Sequence, residues 1–338
     1  MNLLVPVQCD NEIEGLIENG INEFYCGYVP QYWIKKYNKT HGNSLTSMQV
    51  SINRRDNIFS NVTDLNSLKR MCTIIEKNGG TLFVTLNMPY YPEEAYPDIC
   101  IFLEELSEAG VQHLIVSDIG IIKYIQENYS GFRLSISCEN QVINSYSVKF
   151  YASFENVERI VLPRHITIKE LDGIVKQNSN MDFECFILSN KCIYDDGNCH
   201  CIHDLGLICQ DRWDYEICGD YADYKDIIQL SHMECNYEGW SFNYNDMTQE
   251  RSMLFWRKYG CSLCALYNLV KYKNLKSLKI VGRGRWVEFE DIRFLKQLIQ
   301  YAENGADLKD LKKSAKELYK NSALCDSGKY CIMPGAII

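Results

Sequence analysis

The sequence predicts an α/β fold, a closed (β/α)8 TIM-like barrel with a cysteine-rich insertion after its seventh strand. Three observations lead there. Eight short, β-rich apolar runs occupy residues 3–7, 23–27, 81–87, 113–118, 133–138, 159–163, 182–188 and 277–282. Amphipathic helical patterns alternate with them, as parallel strands joined by crossovers require. The turn after the first run reads PVQCDNE, without the G-x-G-x-x-G of a dinucleotide-binding sheet, so an open doubly wound sheet is the second choice.

Each strand is too short and too continuously apolar to be a surface element, which suits a parallel sheet covered on its outer face. The helical patterns between strands cover residues 11–19, 64–77, 93–108, 119–127, 145–153, 167–176 and 263–273, and 288–302 follows the eighth strand. Two connections are long, 28–62 after the second strand and 189–260 after the seventh. Both open at the C-terminal face, where barrels of this kind carry their active sites, so the insertion would lie over the mouth. The expected organisation is therefore a barrel over residues 1–304 containing the 189–260 insertion, then an extension at 305–338 that packs on it or acts as a lid.

With 338 residues, 46% of them hydrophobic and 23% charged, the chain has material for a substantial core and is neither disordered nor collagenous. The longest apolar runs, such as 3–7 and 82–86, fall well short of the roughly 18 residues of a membrane span. The first ten residues lack a basic stretch, and Cys9-Asp10 breaks their apolar run, so a cytoplasmic protein is expected. A net charge of −9 disfavours non-specific binding to a phosphate backbone and mildly favours a small molecule or peptide over RNA.

Of sixteen cysteines, thirteen fall into two groups. Cys26, Cys72, Cys100, Cys138 and Cys185 stand singly in apolar segments, where a thiol serves as a small hydrophobe. Cys192, Cys199, Cys201, Cys209, Cys218, Cys235, Cys261 and Cys264 crowd one polar stretch. Thiolates from separate loops are what an iron-sulfur cubane needs. Zinc is the alternative, given Cys199, His200, Cys201 and His203 within five residues, and unliganded thiols are a third reading.

Six segments carry a resemblance that runs in order over residues 3–283: LLVPVQCDNEIEGLIENGINEFYCG, TLFVTLNMP, LIVSDIGII, SCENQVINS, RIVLPRHITIKEL and SLKIVGR. As a set they resemble peptidase family U32. The resemblance implies a barrel-like α/β fold and one of two activities, collagenase-like peptidase or oxygen-independent hydroxylation of ubiquinone precursors, a tRNA uridine or a ribosomal RNA cytidine. In the hydroxylating members four cysteines hold a 4Fe-4S cluster, and prephenate is implicated as oxygen donor. The resemblance puts the ligands at Cys192, Cys199, Cys209 and Cys264, with Cys261, Cys218 and Cys201 as alternates. The sequence departs from the family pattern at Val281, where LKIEGR carries glutamate, and at Gly197-Asn198-Cys199, where the family has glycine-arginine-cysteine. The stretch from Cys199 to Cys209 is also shorter than usual.

Polar residues at the strand ends, Tyr28, Asn87, Asp118, Glu139, Asn140, Arg164, His165 and Arg283, are expected to face the mouth. Arg164 or Arg283 would hold a carboxylate, Asp118 with Glu139 would form an acid/base pair, and His165 would donate a proton. Satisfied strand-end side chains, surface ion pairs and a loop histidine are the competing accounts, and Arg54-Arg55 reads as a solvated charge pair. The leading expectation is an iron-sulfur oxidoreductase acting on a small molecule, peptide or RNA base. The alternatives are a hydrolase, although G-x-S-x-G and H-E-x-x-H are both missing, or a cluster-bearing subunit paired with a related family member.

Overall fold

The computed structural model describes residues 1–37, 51–55, 60–188, 196–199, 260–283, 287–319 and 331–333. Eight parallel strands close in sequence order into a barrel. They are β1 (Asn2–Pro6), β2 (Glu23–Gly27), β3 (Thr81–Leu86), β4 (His113–Val116), β5 (Arg133–Ile136), β6 (Val157–Val161), β7 (Asp182–Leu188) and β8 (Leu275–Ile280). Closure is made by β1 against β8, with Leu3 opposite Leu278. All eight expected strands are present, with ends shifted by a residue or two.

The barrel separates two cores. Outside it, a large apolar layer lies between strands and helices, built from residues such as Phe24, Val84, Leu114 and Phe183. Inside, the contents differ by side. Strands β1 to β4 contribute Leu4, Tyr25, Phe83 and Ile115 as a small apolar cluster. Strands β6 to β8 contribute Arg159, Glu184, Ser277 and Lys279, all buried. Arg159 donates to both oxygens of Glu23 at 2.9 and 3.1 Å, and reaches Glu184 at 3.4 Å. Lys279 donates to the other oxygen of Glu184 at 3.0 Å. The two halves meet through cation–π contacts, Arg159 4.7 Å from the Phe83 ring centre and Lys279 4.4 Å from that of Tyr25.

The helices follow the strands and several begin on side-chain caps. In chain order they are α1 (Asp10–Glu18), α2 (Gln31–Tyr37), α3 (Leu65–Lys77), α4 (Tyr96–Glu108), α5 (Ile119–Asn128), α6 (Ser145–Tyr151), α7 (Ile168–Gln177), α8 (Leu266–Leu269), α9 (Phe289–Glu303) and α10 (Leu308–Tyr319). Asp64, Asp118, Asn144 and Thr167 each accept from first-turn amides, and Thr167 forms a full capping box with Glu170.

One local expectation changes. The helix expected over 263–273 is a 3-10 turn, Leu263–Ala265, followed by the single turn of α8. The chain then tightens through Lys271 N to Asn268 O and Tyr272 N to Leu269 O, because it must return at once to the base of β8. There Asn274 staples it by donating to the carbonyls of Val175, Asn178 and Met181. After β2, Tyr32, Trp33 and Tyr37 stand at helical spacing and lie on α2, anchored by the fully buried Trp33. Among the described residues no helix is long and apolar enough to cross a membrane.

Candidate functional site

The C-terminal face is built from turns that dock on one another. After β5 the chain makes a 3-10 turn, Cys138–Asn140, and leaves it through Gln141 in the left-handed region at φ 51°. Against this turn sits the 3-10 turn Asp196–Asn198. Gly197 permits the contact, since a Cβ there would stand 2.9 Å from the Glu139 carbonyl oxygen and 2.0 Å from Cγ of Gln141. The docked turn delivers Cys199 to the mouth, where its carbonyl accepts from Arg54 Nη1 at 2.9 Å.

Two arginine–carboxylate pairs flank this junction. Arg54 Nε lies 3.4 Å from Glu139, and the Arg164 guanidinium binds Asp196, whose second oxygen accepts from the Arg164 amide at 3.3 Å. Arg164 also lies over the Phe186 ring, 4.3 Å from its centre. Burial alone would weaken the Arg54 charge, but Glu139 and Cys199 raise its pKa, so the guanidinium stays protonated. Cys138, Glu139 and Asp196 bring one sulfur and two carboxylate oxygens within 4.8 Å of one another, a spacing a cation could share. Yet both carboxylates already answer an arginine. Burial, reinforced by Asp196, pushes the Cys138 thiol well above its ordinary range despite Arg164 and Lys279. The two carboxylates therefore serve first to balance Arg54 and Arg164.

A second cluster forms between β2 and the end of β8. Arg283 donates to Asn61 at 2.8 Å and to Asn53 at 2.9 Å, while its carbonyl accepts from Arg55 at 3.1 Å. Asn61 in turn donates to the Arg55 carbonyl at 2.7 Å. Gly27 makes room, because a Cβ there would stand 1.9 Å from both Arg283 Nη1 and Asn61 Oδ1.

Of the cysteines, Cys199, Cys261 and Cys264 are described and half-buried. Cys261 pairs with Leu188 at the end of β7, and Cys264 follows in the Leu263–Ala265 turn, so both lie at the C-terminal face. Cys192, Cys201, Cys209 and Cys218 lie outside the described residues.

The strand-end residues divide. Arg164, Glu139 and Arg283 gather at the mouth as expected, and Asn87 joins them by accepting from the Arg54 amide at 3.3 Å. His165 is exposed beside Arg164. Asp118 spends one oxygen on the Ile121 amide and the other on the Tyr91 amide, at 2.9 and 2.8 Å, and so is held as a helix cap. Asn140 bonds the Ser117 carbonyl and the Tyr151 hydroxyl. Tyr28 points away from the mouth. Alternation along β2 turns Tyr25 and Gly27 inward and Tyr28 outward, where it stacks on Phe102 and donates to Glu105. Arg54 and Arg55 are not a solvated pair. Each is under 10% exposed, because the 51–55 segment folds down into the mouth.

Sequence reasoning passed over Asn53, Asn61 and Asp196. Asn53 and Asn61 stand in the long loop after β2, and Asp196 precedes Gly197 in the insertion, so their position at the C-terminal face was the available signal. Cys138 was read as a buried hydrophobe and is buried, but at a strand end that opens on the site.

A closed parallel barrel with its arginines, carboxylates and cysteines collected at the C-terminal face is the arrangement of barrel proteins that act at that face. The chain belongs to peptidase family U32, whose sequence profile matches residues 11–331. Among curated proteins it is similar to tRNA hydroxylation protein P of Escherichia coli (strain K12), 28% identical over 97 residues, which is 29% of this chain and 21% of that protein. It is also similar to an uncharacterized protease of Methanocaldococcus jannaschii, 29% identical over 101 residues, 29% of this chain and 24% of that protein. The matched stretches thus span less than a quarter of those relatives' lengths. A solved U32 peptidase aligns with a TM-score of 0.41 and 9% identity over 56% of this chain and 69% of its own.

Proposed function

We propose that this chain is an iron-sulfur enzyme that carries out an oxygen-independent hydroxylation or a related redox modification, with Cys192, Cys199, Cys209 and Cys264 holding a 4Fe-4S cluster at the barrel mouth. The seat of Cys199 carries the proposal. A glycine-dependent turn fits against the end of β5 and sets this cysteine beside Arg54. The donor chemistry agrees with it, since a cubane takes one thiolate per corner iron and four cysteines from separate stretches supply them.

When bound, the cluster would supply one-electron redox chemistry and Lewis-acidic iron. The chain's own residues would do the rest. Arg54, Arg164 and Arg283 would clamp the carboxylates of an anionic oxygen donor by paired hydrogen bonds, and prephenate, with two carboxylates, has that chemistry. The interior beneath is filled by Tyr25, Phe83, Arg159 and Lys279, which closes the barrel floor to water. His165, exposed next to Arg164, would deliver the proton. The relative named for tRNA hydroxylation supports the reaction class and brings an RNA base into the substrate range, beside the small molecule that a charge of −9 favours. Hydrolysis has less behind it. Burial keeps Cys138 protonated at neutral pH, which leaves it a poor nucleophile.

Anaerobic purification with iron, sulfide and zinc quantified tests the proposal. The expected result is about four irons and four sulfides per chain, one iron for each cubane thiolate. They should be lost in Cys199→Ser and kept in Cys72→Ser, whose sulfur is buried on α3. Stoichiometric zinc, or no metal, would overturn it.

A further inference from the structure

We propose that Cys331 is a ligand of the thiolate-bound metal centre at the barrel mouth, donated by the segment that follows the last helix. The inference rests on the reading of the cysteine site given above, and since a cubane takes one thiolate per iron, Cys331 fills the fourth place there in competition with Cys264.

The observation is a register. Cys261 pairs with Leu188 on one side in antiparallel fashion and with Cys331 on the other in parallel fashion. The Ile332 amide donates to the Cys261 carbonyl at 2.8 Å, so the 331–333 segment extends the end of β7 outward by a further rung. Residues directly opposite in neighbouring extended segments send their side chains to the same face, with backbones about 4.8 Å apart. Cys331 and Cys261 are therefore thiol neighbours, and Cys264 stands one turn further along.

Burial shows which residues fix the segment. Ile332 is 0% and Met333 2% exposed, so these two anchor the rung in the apolar layer, while Cys331, Cys261 and Cys264 are only partly covered. A cysteine placed for packing would sit with Ile332 and Met333. Helix α10 packs against the Leu263–Ala265 turn that carries Cys264, tying the extension to the same place from a second direction. Three thiols from two distant stretches, held by backbone bonds at a partly open face and not drawn within 4.8 Å of one another, offer soft donors to a centre larger than a single ion.

The test uses the whole protein, purified without oxygen. Iron, sulfide and zinc are measured in wild type, Cys331→Ser, Cys264→Ser and Cys100→Ser, with the electron paramagnetic resonance spectrum of the reduced samples. Alkylation of wild type by iodoacetamide is mapped by mass spectrometry before and after the metal is stripped. Serine preserves the backbone rung, and alkylation needs no variant. The expected result is that Cys331→Ser loses at least half the metal or shifts the spectrum, that Cys100→Ser changes neither, and that Cys331 is shielded until stripping. Full metal with an unaltered spectrum in Cys331→Ser, or equal alkylation before and after, would overturn the inference and leave the cluster reading intact. Zinc in place of iron, or a cluster without redox activity, would overturn the proposed reaction, and with Cys331 shielded either would support this ligand. A wild type that holds no metal would overturn both.

Discussion

The interior of the barrel and its mouth use the same side chains, arginine against carboxylate, in two different ways. Inside, Arg159, Glu23, Glu184 and Lys279 come from strands, and their bonds run from strand to strand within a closed set. At the mouth, Arg54, Arg164 and Arg283 are met by groups from loops and turns: Glu139, Asp196, Asn53 and Asn61. Strand register can satisfy charges with each other and so produce a rigid floor. Loops bring partners to each arginine from separate stretches of the chain, which is how the mouth is assembled.

The largest effect should come from breaking the interior set. Arg159→Met would leave Glu23 and Glu184 facing each other without their shared cation. Removing one partner of a buried pair costs about 3–5 kcal/mol, and here two carboxylates lose a partner. Denaturant unfolding should show a loss of that size, with metal content per folded chain unchanged. A loss below about 1 kcal/mol would mean that water reaches the floor, and the contrast with the mouth would then fail.

At the mouth, Gly197→Ala should cost less and do more. The added methyl presses on the Glu139 carbonyl and on the Gln141 side chain, and only the second can swing away. Overpacking of this kind costs about 1–3 kcal/mol. Since the same turn carries Cys199, the variant should also bind less iron than wild type. Arg159→Met and Gly197→Ala would thus separate stability from site assembly.

The charges of the floor were passed over in the sequence, although the signal for them is there. Arginine, glutamate and lysine inside the apolar runs VERIV, DFECFIL and LKSLKI can only face a barrel interior or a helix, and alternation decides which. The mouth was legible in outline, because strand ends and long loops can be read and Arg164, Glu139 and Arg283 were found that way. Its pairings were not. Arg54 meets a carbonyl 145 residues away and Arg283 meets an asparagine 222 residues away, and no local pattern encodes such meetings. Asp118 shows the converse failure, as a strand-end carboxylate looks the same in sequence whether it caps a helix or faces a ligand.

Acid should expose the interior pair from another side. Burial would raise the pKa of Glu23, but Arg159, Ser277 and Asn2 together hold it below the ordinary 4.5. A lowered folded-state pKa means the carboxylate contributes stability above 4.5, and that this contribution is lost as the pH falls through the folded value. In Arg159→Met the same burial, the largest influence on this group, is opposed only by Ser277 and Asn2, and Glu23 takes up a proton in the folded state more readily than it does beside Arg159. The stability gap between wild type and variant should therefore narrow from pH 7 toward pH 4. Unfolding midpoints that stay equally far apart across that range would show that the loss comes from packing and not from charge.

The smallest effect is expected where neither region reaches. Lys123 and Glu127 form a pair at 2.8 Å on the outer face of α5, shorter than the 2.9 Å contact between Arg159 and Glu23. Distance alone would rank the helix pair first. But its side chains are 57% and 55% exposed, whereas Arg159 and Glu23 are each 9% exposed, and water already solvates charges in the open. Lys123→Ala should therefore change stability by no more than about 0.5 kcal/mol, and added salt should remove most of the difference. A cost approaching that of Arg159→Met would mean that contact geometry and not burial sets the worth of an ion pair here, and the distinction between floor and mouth would lose its physical basis.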